Sequence, residues 1–129
     1  MEIIMIKFLR ILLIVFYAFA GMYHFINPKF YYPLIPDYLL FPKLINLVSG
    51  LLEIVLAICI AVPKTRLLAA KGIIILLILF IPSHIFFITE GGCMFSSLCV
   101  PTYIAWIRLL VIHPMLILWA WSIRKSNGL

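Results

Sequence analysis

Four apolar runs, each long enough to cross a bilayer, dominate this sequence and leave little room for any other architecture. They cover residues 3–26, 44–62, 66–89 and 102–123. A spanning helix takes roughly 20 apolar residues. None of the runs alternates with period two, as a barrel strand does. Inside hydrocarbon only helices and closed barrels satisfy every backbone N–H and C=O. The predicted fold is therefore all-α: an integral membrane four-helix bundle forming one transmembrane domain over 1–129. Composition removes the soluble alternative. The chain is 67% hydrophobic and 11% charged, with a mean hydropathy of +1.27; a soluble domain runs about 45–50% apolar and about 25% charged. The net charge of +6 does not mark a nucleic-acid binder, because the basic residues are scattered among apolar runs and make no groove. The bilayer is the first partner.

Basic residues near the span ends set the orientation. With the N-terminus cytoplasmic, Lys7, Arg10, Lys64, Arg66, Lys71, Arg124 and Lys125 lie on or near the inside, against Lys29 and Lys43 outside. Both termini are expected to be cytoplasmic, in a bacterial inner membrane. Ala18-Phe19-Ala20 imitates a signal-peptidase site, but the apolar tract continues through Phe25 and is long for a signal peptide. It is read as a span.

Residues 27–43 form no ordinary loop. Pro28, Pro33, Pro36 and Pro42 forbid a continuous helix, yet the segment is rich in aromatics and leucines. Its expected place is the outer interface, as an anchor or as a lid over a cavity. The last loop holds Cys93 and Cys99 on the outer side, where an oxidising compartment favours a structural disulfide. Free thiols are the alternative, and the CxxC spacing of a redox pair is absent. Cys59 lies inside a span and reads as packing.

Ionisable groups inside spans are costly, and each calls for a partner or a task. Asn46, Gly50, Glu53 and Ala57 share one helical face, with Ser49 beside it. Glu53 lies about 14 Å from the outer end of its span at 1.5 Å per residue. His24, His84 and Arg108 come from the other three spans, all in the outer half. His24, Glu53, His84 and Arg108 are the binding or polar-cluster candidates, with Asn46 and Ser49 as the supporting polar face. Glu53 and Arg108 are the natural ion pair, a guanidinium fork matching a carboxylate, with the imidazoles around them. His113, five residues after Arg108 and about 140° away on an α-helix, is placed outside the cluster. Pro114 and Pro82 are expected to kink their helices, and Pro82 to free a carbonyl near the cluster. Ala69, Ala70 and Gly72 mark close helix contact. The cluster either fixes helix register or lines a binding or proton-handling cavity. No metal site is expected, because HxxxH and CxxC spacings are missing. No flavin, haem, iron–sulfur, nucleotide or Ser-triad motif is recognisable.

Gly21-x-x-His24-Phe25-x-x-Pro28, then Pro36, Ser49-Gly50-x-x-Glu53, Pro63-x-Thr65-Arg66-x-x-Ala69-Ala70, Pro82-x-His84 and Arg108-Leu109 together make a pattern that resembles the DoxX-like family of small four-helix membrane proteins. Relatives of that family include the receptor-assembly chaperone NACHO. Family members often read Arg-Leu-Pro-Leu-Gln in the fourth span, where this chain reads Arg108-Leu109-Leu110-Val111-Ile112. The resemblance implies an architecture and a link to membrane redox or assembly systems. Three functions are expected to compete. The first is a non-catalytic accessory subunit binding a hydrophobic ligand, a quinone or a lipid, beside a membrane-protein partner or in a homo-oligomer. The second is a membrane-protein assembly factor. The third is a small enzyme on a lipidic substrate, with Glu53 or a histidine as acid–base.

Overall fold

The structure, a computed structural model, describes residues 1–94 and 97–125. Among these it is helical throughout, with no strand beyond one isolated bridge between Cys93 and Cys99. Helix α1 (Glu2–Ile26) is the first span. A short helix α2 (Pro28–Tyr31) and a 3-10 turn (Tyr32–Leu34) follow. Helix α3 (Pro42–Ala61) is the second span, with Pro42 at its first turn, where a missing N–H costs nothing. The third span, Arg66–Thr89, is α4 (Arg66–Leu79) and α5 (Ile81–Thr89). Pro82 has no N–H to donate, and the helix is interrupted at Phe80. The fourth span, Thr102–Ser122, is α6 (Thr102–Ile107), a π-helical turn (Arg108–Ile112) and α7 (His113–Ser122). Here the N–H of His113 donates to the carbonyl of Arg108, five residues back. That wider turn accommodates the missing N–H of Pro114.

The four long helices are each apolar enough to cross a membrane, and their packing is inverted relative to a soluble protein. Phe8, Phe19, Leu68 and Leu118 point outward, all more than 60% exposed, while Arg10, His24, Asn46, Glu53, Arg66 and His113 are buried. Large apolar side chains facing out and polar ones facing in suit a lipid solvent. The chain is a multi-pass membrane protein.

Small residues set the closest helix contacts. Gly21 on α1 meets Gly50 on α3: a Cβ on Gly21 would lie 2.7 Å from the Gly50 carbonyl oxygen, and one on Gly50 would lie 2.6 Å from His24 Cβ. Backbones approach this closely only when no side chain intervenes. One core, Leu13, Ala57, Ile60, Ala69, Ala70, Ile73 and Ala120 among its members, occupies the half of the bundle nearer the termini. A smaller cluster of Phe87, Met94 and Ala105 sits at the other end.

Two arginines read from sequence as topology markers are built into the terminal half. Arg66 is fully buried. Its Nε donates to the Ile60 carbonyl at 2.8 Å and its Nη2 to that of Ala61 at 3.3 Å. Thr65 Oγ1 adds a bond to the Cys59 carbonyl at 2.7 Å. These bonds satisfy carbonyls that the end of α3 leaves without donors. Arg10 Nη2 donates to the Lys125 carbonyl at 2.9 Å and Trp119 Nε1 to that of Leu9 at 3.0 Å, tying the last helix to the first. At the opposite end Cys93 and Cys99 form a disulfide, and Cys59 is free. Gly91 and Gly92 turn the chain ahead of it with φ of 81° and 78°, values that favour glycine.

Gly50→Ala should destabilise the bundle by about 1–3 kcal/mol, because its new methyl group meets the first helix at the crossing. Gly72→Ala meets only the tip of the Leu56 side chain and should be close to neutral. Unfolding titrations of the two variants in denaturing detergent test the contrast, and equal stabilities would remove the crossing as the tight point.

Candidate functional site

The Gly21–Gly50 crossing determines what lies one turn further out. Tyr17, Gly21 and His24 run down one stripe of α1, and Asn46, Gly50 and Glu53 down the facing stripe of α3. With the backbones touching, His24 is pressed between Asn46 and Glu53. Asn46 Nδ2 donates to the His24 carbonyl at 3.0 Å, which fixes the orientation of the amide. Its Oδ1 then faces His24 Nδ1 at 2.6 Å. An amide oxygen only accepts, so Nδ1 carries a hydrogen. The other ring nitrogen, Nε2, faces Glu53 Oε2 at 3.4 Å.

Glu53 Oε2 is buried and accepts no hydrogen bond, so the pair keeps unused acceptor capacity. Tyr17 Oη is also buried without a partner.

Tyr31 closes the pair from the outer side. Its ring stacks on His24 with centroids 3.7 Å apart and planes 12° from parallel. Burial, with the negative charge of Glu53 adding to it, pushes the Tyr31 phenol up to about 12. Tyr31 belongs to the proline-rich segment, which divides its tasks. Residues 38–41 are exposed and apolar, as an interfacial anchor is. Tyr31, Leu34 and Ile35 instead line a cavity of about 510 Å³. Leu34 packs on the outer cluster around Phe87, and Ser97 Oγ donates to the Phe30 carbonyl. The segment thus bridges from the end of α1 to α5.

Six of the candidates named from sequence, His24, Asn46, Ser49, Glu53, His84 and Arg108, line this one cavity. Its volume falls within the roughly 300–1,000 Å³ of small-molecule sites. The expected pairing inside it is different. Glu53 pairs with His24, not with Arg108. Arg108 lies over the Phe87 ring, 5.1 Å from its centroid. Among the described residues its guanidinium has no carboxylate within 4.0 Å and no hydrogen-bond acceptor. Helical spacing gave each group its depth but not its lateral position, and the Gly21–Gly50 contact gives Glu53 to His24 first.

His113, placed outside the cluster by α-helical spacing, does not line the cavity, but it packs edge-on against His84, with centroids 4.7 Å apart. The π turn between Arg108 and His113 adds a residue to that turn and rotates His113 back toward the third span. There His113 Nε2 donates to the Leu77 carbonyl at 2.5 Å, next to the interruption ahead of Pro82. Sequence reasoning also passed over Tyr31 and Phe87. Tyr31 was legible only as one aromatic among several. Nothing in the spacing of Phe87 distinguishes it from a lipid-facing residue. No group of three or more metal-ligating side chains is found among the described residues.

The Tyr31 phenol should ionise near pH 12 where a free tyrosine ionises near 10. The folded state holds the raised value, so this contribution to stability is complete below pH 10 and is lost as pH rises from 10 toward 12. Glu53→Gln should lower the Tyr31 value yet leave it above 10, because burial is the larger cause. Phenolate absorbance of the wild type minus that of Tyr31→Phe reads it; ionisation near 10 would contradict the stacked, buried position.

No curated protein and no solved structure matches this sequence. One family model does, a domain of unknown function, DUF8561, over residues 13–124, a stretch that includes all six cavity groups. The chain belongs to the DUF8561 family.

Proposed function

We propose that this protein is a non-catalytic accessory membrane subunit that binds a hydrophobic ligand, a quinone or a lipid, in its outer-half cavity. The observation that carries the reading is the convergence of polar side chains from all four spans, His24, Asn46, Ser49, Glu53, His84 and Arg108 among them, on one mainly apolar cavity. A cluster serving only as helix glue would be packed solid, whereas this one surrounds about 510 Å³ of space. The DoxX-like motif pattern favours a place beside a membrane redox system, with a membrane-protein partner supplying the redox centre. An assembly factor would offer small or polar residues on its outer face. Here Gly21, Gly50, Ala57, Ala69, Ala70 and Ala120 are used inside the bundle, which supports the ligand-binding reading instead. The excess of basic residues at the terminal end supports cytoplasmic termini in a bacterial inner membrane. It leaves the Cys93–Cys99 disulfide on the oxidising side.

Organic extracts of gently purified protein should contain one quinone or lipid at close to one molecule per chain, by mass spectrometry. Glu53→Gln should lose most of it, and Lys71→Gln, on an exposed position of α4, should retain it. A wild-type extract holding only bulk lipid would remove the binding function. For orientation, a single cysteine replacing Asp37 in a Cys-free background should react in whole cells with a membrane-impermeant thiol reagent. One replacing Lys125 should not, and the reverse pattern would invert the topology.

A further inference from the structure

We infer that the occupant of the cavity is an anionic single-chain amphiphile, its acid head on Arg108 and its alkyl chain along the seam between the second and third spans. This rests on the binding function proposed above and names the ligand class for the same site.

The first argument is charge. The groups lining the cavity include one carboxyl group, Glu53, and it lies against His24, with Oε2 3.4 Å from Nε2, not against Arg108. His84 brings no negative charge, and the hydrogen bonds of Asn46 are taken up by His24. Arg108 is then the fixed positive charge of the cavity, with no carboxylate within 4.0 Å among the described residues. It is half-buried, lies over the face of Phe87 and has no acceptor among the described residues. A guanidinium in a membrane span ordinarily finds a carboxylate, a carbonyl or water. Here Arg108 lines a cavity whose walls are mainly apolar. A quinone carbonyl accepts a hydrogen bond but leaves the positive charge in place. A carboxylate or phosphate head removes it and matches the fork geometry.

The second argument is shape. Leu44, Val48 and Leu52 recur every four residues on α3 and, with Leu79 on α4, line the cavity. All four are also exposed on the outside of the bundle. They are therefore wall and surface at once, and the cavity opens sideways between the spans. Below, α3 and α4 pack together, with Leu56 against Gly72. Above, α3 and α5 keep their Cα atoms more than 8 Å apart. The 3-10 turn Tyr32–Leu34 touches both and covers the gap from the end. A head placed at Arg108 leaves an alkyl chain one apolar way out, past the leucine stripe and into the bilayer.

The test uses the full chain in a neutral detergent, with palmitate, hexadecanol, acetate and a short-tailed quinone as probes in equilibrium dialysis at a pH where the acid is ionised. Palmitate should bind at one molecule per chain and about tenfold or more tighter than hexadecanol, the ordinary size of a charge-assisted contact. Arg108→Gln should lower palmitate to the level of hexadecanol, and Arg108→Lys should restore at least a third of the affinity. The unfolding midpoint of each variant shows that it is folded. Hexadecanol binding as tightly as palmitate, or palmitate binding unchanged in Arg108→Gln, overturns the anionic head while the hydrophobic-ligand function stands. Acetate displacing palmitate at equal concentration overturns the amphiphile in favour of a free anion. Failure of palmitate, hexadecanol and the quinone alike overturns both this assignment and the proposed function.

Discussion

The site depends on two glycines that let two backbones touch. Where α1 crosses α3, Gly21 and Gly50 leave no side chain between the helices. The contact holds His24 against Asn46 and Glu53 within hydrogen-bond and ion-pair distance. In lipid there is no hydrophobic force to drive helices together, so van der Waals fit and polar contacts supply the attraction. The crossing provides both. It also orients the His24 ring, because the Asn46 amide is fixed by one bond and faces Nδ1 with its oxygen. Everything outward of the crossing is looser: the spans diverge, a cavity opens, and the proline-rich segment covers its end.

Much of this was legible from the residues alone, and the misreadings have a common cause. Four helices followed from the length and apolarity of the runs, and the shared face of Asn46, Gly50 and Glu53 followed from their spacing. The six cavity groups were recognisable because each is out of place in hydrocarbon. Partner choice was not legible. Glu53 and Arg108 are opposite charges on the second and fourth spans, whose Cα atoms stay more than 8 Å apart, and depth along a helix says nothing of which spans are neighbours or of rotation about an axis. The contact of His113 with His84 was not legible, because the π turn over Arg108–Ile112 departs from regular α-helical spacing. Arg10 and Arg66 read as charges at the membrane edge. They are buried donors to carbonyls at helix and chain ends, a role that depends on which carbonyls the fold brings near.

The two ends of the bundle are built from different materials. At the end bearing the termini, alanines, an isoleucine layer and two arginines that each bond main-chain carbonyls make a dense core. At the other end a disulfide, a glycine turn and aromatic stacking hold loops over a partly hollow interior. Rigid packing and a cavity compete for the same volume, and this chain separates them along the bundle axis. The dense half keeps the helices in register, and that leaves the other half free to diverge.

The sideways opening has a consequence for how such a protein samples its surroundings. The seam between the second and third spans is sealed in the half nearer the termini and parted in the half nearer the disulfide. On the ligand-binding function proposed above, a molecule dissolved in the leaflet on the disulfide side would slide in without leaving the membrane, while one in the opposite leaflet would meet a closed wall and have first to flip. The occupancy of the cavity would then follow the composition of a single leaflet.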